Sequence, residues 1–210
     1  MRYEPDAKEF FDRIERFTAV LVEWGARMNL TAAPGDDKEI FFHMLDSLAP
    51  AILSKRPDGG PLIGVFGPGR RILDIGTGAG FPGLILAAAT EAQFTLVESR
   101  RRRSSFLAVA AGEMGLHNVT VEPIRATGYQ PDGAYDAVVS RGVGAVGGFY
   151  EIASGALKHR GLAILYANEG QYIGVANAEA FGLGELNEAH YVVRRGDEEA
   201  DRMLAIWRKL

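Results

Sequence analysis

The sequence predicts an α/β protein built on an open, doubly wound and mostly parallel sheet, preceded by helices. From Arg71 onward, short runs rich in β-branched and apolar residues alternate with helix-like segments, which is the pattern of successive βαβ units. The first of these runs leads directly into a glycine-rich loop. In such sheets ligands lie beyond the carboxyl ends of the strands, so the loop is the first place to expect a site.

Composition and charge are those of a globular protein with one substantial core. The chain has 210 residues, of which 47% are hydrophobic, and no cysteine, so disulfides and thiolate ligands are excluded. No apolar run is long enough for a membrane-spanning helix and the N-terminus lacks the apolar stretch of a secretion signal, so we expect a cytoplasmic protein. The net charge of −4 argues against a protein that coats nucleic acid by charge alone.

Two amphipathic helices are predicted ahead of the sheet. Apolar residues recur at steps of three or four positions between Pro5 and Arg27, so a helix over that range carries one continuous apolar stripe. The same spacing between Ile40 and Ile52 predicts a second helix.

The chain divides into an extension, a linker and a core. Residues 1–55, which hold the two helices, form an N-terminal helical extension. Proline and glycine crowd residues 56–70, which predicts a linker with a short strand at 62–66. Residues 71–210 form the core as a single compact unit, whose last two strands we expect to be an antiparallel pair.

The most informative segment is the loop after the first predicted strand. Asp74 ends that strand, and Gly76, Gly78 and Gly80 follow. Glycines at alternate positions permit positive φ angles and leave no Cβ in the way, so the backbone can curl beneath a ligand and present its N–H groups to it. This crowding of glycine between a strand and a helix favours a cofactor loop over a simple tight turn.

Two cofactor classes fit this loop. Gly78, Gly80 and Gly83 satisfy the G-x-G-x-x-G spacing of dinucleotide-binding proteins, which leaves an NAD-dependent oxidoreductase open. Asp74 favours S-adenosylmethionine, because its charge would repel a pyrophosphate but suits a cofactor that carries ammonium and sulfonium cations. Glu98, at the end of the next predicted strand, can accept both ribose hydroxyls.

Motifs outside the loop narrow the choice. Ahead of the sheet, Trp24-x-x-x-x-Asn29-Leu30-Thr31 is followed by His43-x-x-Asp46-Ser47-Leu48. The loop ends in Phe81-Pro82-Gly83, and Val97-Glu98-Ser99, Arg125-Ala126 and Val139-Ser140-Arg141 come after it. By these motifs, which span nearly the whole chain, the sequence resembles the bacterial small-subunit ribosomal RNA guanine-N7 methyltransferases, also called the glucose-inhibited division protein B family.

The resemblance implies a class I S-adenosylmethionine-dependent methyltransferase with a Rossmann-like fold, acting on a guanine of 16S rRNA or of the small ribosomal subunit. Attack by N7 uses a free lone pair, so catalysis needs positioning more than a general base, and Arg141 is given an orienting role. We expect no metal ion, no membrane contact and a monomer. The resemblance implies that Gly76, Gly78, Gly80, Phe81, Glu98, Ala126, Thr127 and Arg141 bind the cofactor. The charge of Asp74 beside the loop adds Asp74 to these residues.

Departures from the family pattern bear on the acceptor. Thr127 stands where the family usually has an acid, and Glu169 stands where a cation is usual, which exchanges an attractive contact with RNA phosphate for a repulsive one. A methyltransferase that has drifted to another RNA or a small molecule, and a non-catalytic module that binds S-adenosylmethionine, therefore stay open beside the leading hypothesis.

Two further groups allow a structural and a functional interpretation. His43 and Asp46 are three residues apart, which places them on one face of the second helix, and we interpret them as a local structural pair. Arg100, Arg101, Arg102 and Arg103 open a predicted helix. They are either a patch that binds RNA or a solvated helix face.

Overall fold

Seven strands form one sheet with helices on both of its faces in the part of the chain that the computed structural model describes, residues 7–31, 35–129, 131, 133–142, 146–168, 175–195 and 198–210. The elements in chain order are α1 (Ala7–Gly25), α2 (Asp37–Ser54), β1 (Arg71–Ile75), α3 (Gly83–Ala89), β2 (Gln93–Val97), α4 (Arg101–Glu113), β3 (Val119–Glu122), β4 (Tyr135–Arg141), α5 (Val146–Ala156), β5 (Leu157–Asn168), α6 (Val175–Ala180), β6 (Leu183–Arg195) and β7 (Glu198–Lys209).

The strand order places a topological switch point between β1 and β4. The order is β3-β2-β1-β4-β5-β7-β6, and the first five of these strands are parallel. From β1 the chain builds outward through β2 and β3, and then returns to the other side of β1 with β4. β7 runs antiparallel to both β5 and β6. The predicted parallel, doubly wound sheet and its closing antiparallel pair are therefore confirmed.

The N-terminal helices share a hydrophobic core with α3 and α4. Phe17 of α1 is fully buried, and its ring packs edge-on against Phe81 at 5.4 Å and lies 6.4 Å from the ring of Phe106. Ile40 and Met44 of α2 are buried in the same cluster. A second core, on the opposite face of the sheet, lies beneath α5 and α6. No helix among the described residues is both long and apolar enough to span a membrane.

The segment between α2 and β1 contains a short 3₁₀ helix at Gly60–Leu62 and a series of turns. The strand predicted at 62–66 is wrong. Gly60, Gly64 and Gly69 all adopt positive φ angles, which bend the backbone away from the extended conformation that a strand needs. Leu62 and Phe66 are nevertheless buried and anchor the segment to the core.

Candidate active site

The glycine loop presents open backbone at the carboxyl end of β1. Gly76, Gly78 and Gly80 have φ angles of +70°, +58° and +90°, as the alternate glycines predicted. A Cβ at Gly76 would meet no atom within 4 Å, and one at Gly78 would lie 3.7 Å from Arg103 Nη1. The space above Gly76 is therefore free of protein atoms, as a ligand cradle requires.

Asp74 anchors the end of this loop through a hydrogen bond. Its side chain is completely buried, and Oδ2 accepts a hydrogen bond of 2.8 Å from the backbone N–H of Gly83, at the start of α3. A Cβ on Gly83 would overlap Leu96 and lie 2.5 Å from Asp74 Oδ2, so this glycine permits close packing of helix on strand. Burial raises the pKa of Asp74 to about 6, although the Gly83 amide acts in the opposite direction. Its direct contact with a cofactor stays a prediction.

Glu98 stands beside the loop at the end of β2. The Gly76 N–H donates to the carbonyl oxygen of Val97, which brings the two strand ends together. Glu98 is buried, and its Oε1 accepts a hydrogen bond of 2.8 Å from the N–H of Arg100. Among the described residues Oε2 has no hydrogen-bond partner, so one carboxylate oxygen is available to a ligand.

Ala126 and Thr127 lie farther along the same edge of the sheet. They form part of a 3₁₀ turn, Ala126–Gly128, which follows β3. Both line a cavity of about 210 Å³ against α5, and Thr127 is exposed. Glu169, the second departure from the family pattern, lies outside the described residues.

A second cavity, of about 240 Å³, opens at the carboxyl ends of β4 and β5 beneath α2. Arg141 forms one wall, and its guanidinium carbon lies 5.1 Å from the centre of the Phe81 ring. The His43 ring lies 5.4 Å from the same ring. Phe81 belongs to the glycine loop and contacts two residues that line this cavity, so the predicted cofactor cradle and the cavity are neighbours. The polar side chains that line the cavity include His43, Asp46, Arg141, Asn168 and Arg202.

Asp46 is the centre of a buried ionic cluster. Its Oδ2 accepts from Arg141 Nη1 at 3.1 Å and from Arg202 Nη2 at 3.0 Å. Its Oδ1 accepts from Arg202 Nε at 3.1 Å and from the Tyr191 hydroxyl at 2.8 Å. Burial alone would raise the pKa of Asp46, but the Arg202 hydrogen bonds and charge, with the charge of Arg141, hold it below its usual range.

The interpretation of His43 and Asp46 as a local pair is wrong. His43 Nε2 lies 3.2 Å from Glu39 Oε1, whereas the partners of Asp46 come from β4, β6 and β7. Burial and the neighbouring Arg141 lower the pKa of His43. Arg202 and Tyr191 belong to no motif, and the one signal in the sequence was an acidic residue on the apolar face of a helix.

Comparison with known proteins identifies the family. Residues 11–181 match the family model described as rRNA small subunit methyltransferase G. The chain belongs to this family. The ribosomal RNA small subunit methyltransferase G of Wolinella succinogenes is 30% identical over 193 residues, which cover 91% of this chain and 93% of that relative. The corresponding protein of Chromobacterium violaceum is 32% identical over 161 residues, or 76% of this chain and 67% of the relative.

A solved structure supports the fold independently. Crystalline TYW2 of M. jannaschii, in complex with AdoMet, has a TM-score of 0.61 at 13% identity, over 83% of this chain and 78% of that one. At this identity the likeness shows the Rossmann-like methyltransferase fold alone. The predicted fold class and the resemblance to the rRNA small subunit methyltransferase G family are confirmed, which decides against the NAD-dependent oxidoreductase.

Proposed function

We propose that the chain transfers the methyl group of S-adenosylmethionine to N7 of a guanine in 16S rRNA. The observation that carries the proposal is the contact of Phe81, in the glycine loop, with Arg141, in the cavity wall, which sets the open cradle beside a cavity in a member of the rRNA small subunit methyltransferase G family. Methyl transfer needs two adjoining sites of this kind, because donor and acceptor must meet in line.

The cradle fits S-adenosylmethionine in shape and charge. The free Oε2 of Glu98 suits a ribose hydroxyl, and the open backbone at Gly76 leaves room for the amino-acid portion. Beneath the loop, the Thr77 side chain lies close enough to Asp74 to favour the charged form of its buried carboxyl group. The carboxylates of Asp74 and Glu98 favour a positively charged ligand over a pyrophosphate. When bound, S-adenosylmethionine supplies an electrophilic methyl group.

The residues of the second cavity orient the acceptor. N7 of guanine attacks through a free lone pair, so no side chain has to remove a proton first. Arg141 Nη1 donates to Asp46 and, at 3.3 Å, to the carbonyl oxygen of His43. The remaining nitrogens of Arg141, Nε and Nη2, have no partner among the described residues and can donate to O6, the oxygen next to N7.

Labelled S-adenosylmethionine, incubated with unmodified small ribosomal subunits and in parallel with free 16S rRNA, tests the proposal. We expect label at N7 of one guanine, and the better substrate of the two shows whether the target is the assembled subunit. Wild-type protein that binds the cofactor but labels neither substrate would contradict the acceptor assignment and favour a drifted enzyme or a non-catalytic module.

The Gly76→Ala variant tests where the cofactor binds. It should lower the affinity for S-adenosylmethionine at least tenfold, about 1.4 kcal/mol, because the new methyl group enters the cradle. Gly69→Ala is the matched control, since Gly69 also has positive φ, +76°, and open space around its Cβ position but precedes β1 at the opposite edge of the sheet. Equal losses of affinity in both variants would show that the loop does not hold the cofactor.

A further inference from the structure

We infer that Arg202 of β7 is a positioning residue, which acts through Asp46 to fix the guanidinium of Arg141 on the wall of the cavity that takes the acceptor guanine. The inference deepens the proposed function and rests on it for the identity of the base. No motif of the sequence includes Arg202, and it comes to the site only because β7 pairs with β5.

Each guanidinium nitrogen of Arg202 donates to a protein partner. Nε and Nη2 form a two-pronged contact with the two oxygens of Asp46, at 3.1 and 3.0 Å, and Nη1 donates to the side-chain oxygen of Asn168. A guanidinium held by such a fork is fixed in both distance and plane. Arg202 therefore has few donors left for a ligand, and its role is to hold Asp46.

Asp46 passes this constraint on to Arg141. One oxygen, Oδ2, accepts from Arg202 Nη2 and from Arg141 Nη1, so the position of one guanidinium depends on that of the other. Asp46 is fully buried, and a buried carboxylate that loses one of two cations is poorly compensated and tends to move or take up a proton. Either change would release Nη1 of Arg141.

A fixed Arg141 matters because of the geometry of guanine. A mobile guanidinium binds O6 and N7 of guanine together, and that contact would occupy the lone pair that must attack the methyl group. In this structure Nη1 is tethered by Asp46 and the His43 carbonyl, and the guanidinium lies on the Phe81 ring. Because Nη1 is tethered, Arg141 can donate a hydrogen bond to O6 while the lone pair of N7 stays free.

A double-mutant cycle of Arg202→Met and Arg141→Met tests the inference. In the wild-type background Arg202→Met should lower kcat for small-subunit methylation about tenfold and change the Kd for S-adenosylmethionine less than about twofold. In the Arg141→Met background it should cause no further loss of kcat, because the residue through which it acts is gone. An equal loss in both backgrounds would show a role independent of Arg141 and overturn the inference.

Side-chain NMR of ¹⁵N-arginine protein supplies a readout that needs no substrate. The Nε–H signal of Arg141, assigned by its absence from Arg141→Met, should be sharp in the wild type and broadened or shifted toward the free-arginine position in Arg202→Met. An unchanged signal would overturn the inference. A wild type that labels no RNA would contradict the proposed function instead, and the NMR result would still decide whether Arg202 positions Arg141.

Two further variants control for loss of folding. Arg202→Lys keeps a cation beside Asp46 but cannot form the fork, so it should fold and show an intermediate kcat and an intermediate Arg141 signal. A lysine variant that matches the wild type in both would also overturn the inference. Arg208→Met is the matched control, because Arg208 lies near the C-terminal end of the same strand and pairs with Glu185 and not with Asp46; its kcat should stay within about twofold of the wild type.

Discussion

At the scale of single residues, two buried carboxylates show how their surroundings decide their roles. Asp46 has two arginines within ion-pair distance, and its pKa lies below the usual range. Asp74 has no cation at that distance among the described residues, and burial raises its pKa to about 6. Asp46 thus organises two cations that favour its charged form, whereas Asp74 shapes the glycine loop with a charge that burial disfavours.

The variant Asp74→Asn tests the raised pKa of Asp74 through the dependence of folding stability on pH. The pKa of Asp74 is about 6 in the folded chain and 3.8 in an unfolded chain, so the folded chain holds its proton to higher pH and the wild type loses stability as pH rises from about 4 to 6. Asparagine can still accept from Gly83 and carries no charge. The stability of the variant relative to wild type should therefore increase across this range, by up to roughly 3 kcal/mol.

Urea unfolding of both proteins at several pH values between 4 and 7.5 measures that difference, since all other groups titrate alike in the two chains. A difference in stability that does not vary with pH would contradict the raised pKa. Cofactor binding at pH 7.5 then shows separately whether the charge of Asp74 is needed by the ligand.

At the scale of elements, the N-terminus of α4 carries positive side chains, which the helix dipole disfavours. Arg100, Arg101 and Arg102 are exposed at its N-terminus, and the first turn holds no acidic residue. Positive charge is unfavourable there, and the three side chains form no ion pair or hydrogen bond with any described residue. Arg103 differs, since it donates to the Asn29 carbonyl oxygen at 2.9 Å and lies beside Gly78. Unpaired cations at the rim of the cradle favour contact with RNA phosphate over a solvated face alone.

The triple variant Arg100→Gln/Arg101→Gln/Arg102→Gln should gain stability and lose RNA affinity. Each removed charge relieves about 0.3–1 kcal/mol of repulsion from the helix dipole, so Tm should rise. If the three side chains contact phosphates, the slope of log affinity against log salt should become shallower by about two to three.

Calorimetry and RNA binding at several salt concentrations measure these quantities. Arg56→Gln/Arg70→Gln/Arg160→Gln is the charge control for RNA binding, with the same change of charge at exposed positions outside α4; Arg56 and Arg70 form ion pairs with Asp58 and Asp136, so its Tm is not compared. If both triple variants weaken RNA binding equally, the arginines of α4 are only a solvated face.

At the scale of the whole molecule, the sheet joins two cores into one structure. Trp24 of α1 packs at 6.0 Å from Phe106 in the core under α1 to α4, and Trp207 of β7 is buried in the core on the other face. The Asp46 cluster also ties α2 to β4, β6 and β7. The described helices of the predicted extension, residues 1–55, contribute side chains to the core that they share with α3 and α4.

Single-tryptophan variants should therefore report one unfolding transition. Trp24→Phe leaves Trp207 as the only tryptophan of the chain, and Trp207→Phe leaves Trp24. In each variant the fluorescence midpoint in urea should coincide with the midpoint from circular dichroism, because neither core is complete without the sheet. A transition at Trp24 that precedes the loss of secondary structure in the same variant would show that the N-terminal helices unfold as a separate unit.

Local sequence patterns were enough to predict the fold class and the glycine loop. The alternation of strands and helices and the segment from Asp74 to Gly83 are contiguous in the chain, so composition and spacing alone predict them. The same is true of the motifs by which the family was identified. The strand predicted at 62–66 is wrong, because Gly64 within it and Gly60 and Gly69 on either side adopt positive φ angles that an apolar run does not reveal.

The sequence by itself therefore determined the class of protein, the glycine cradle and the position of Glu98. Only the tertiary structure decided what surrounds the acceptor cavity. Asp46 meets Arg141 across 95 residues and Arg202 across 156, and these encounters depend on the order β4-β5-β7-β6 within the sheet. Pairing between distant strands is set by the packing of the whole core, and no spacing within one segment encodes it.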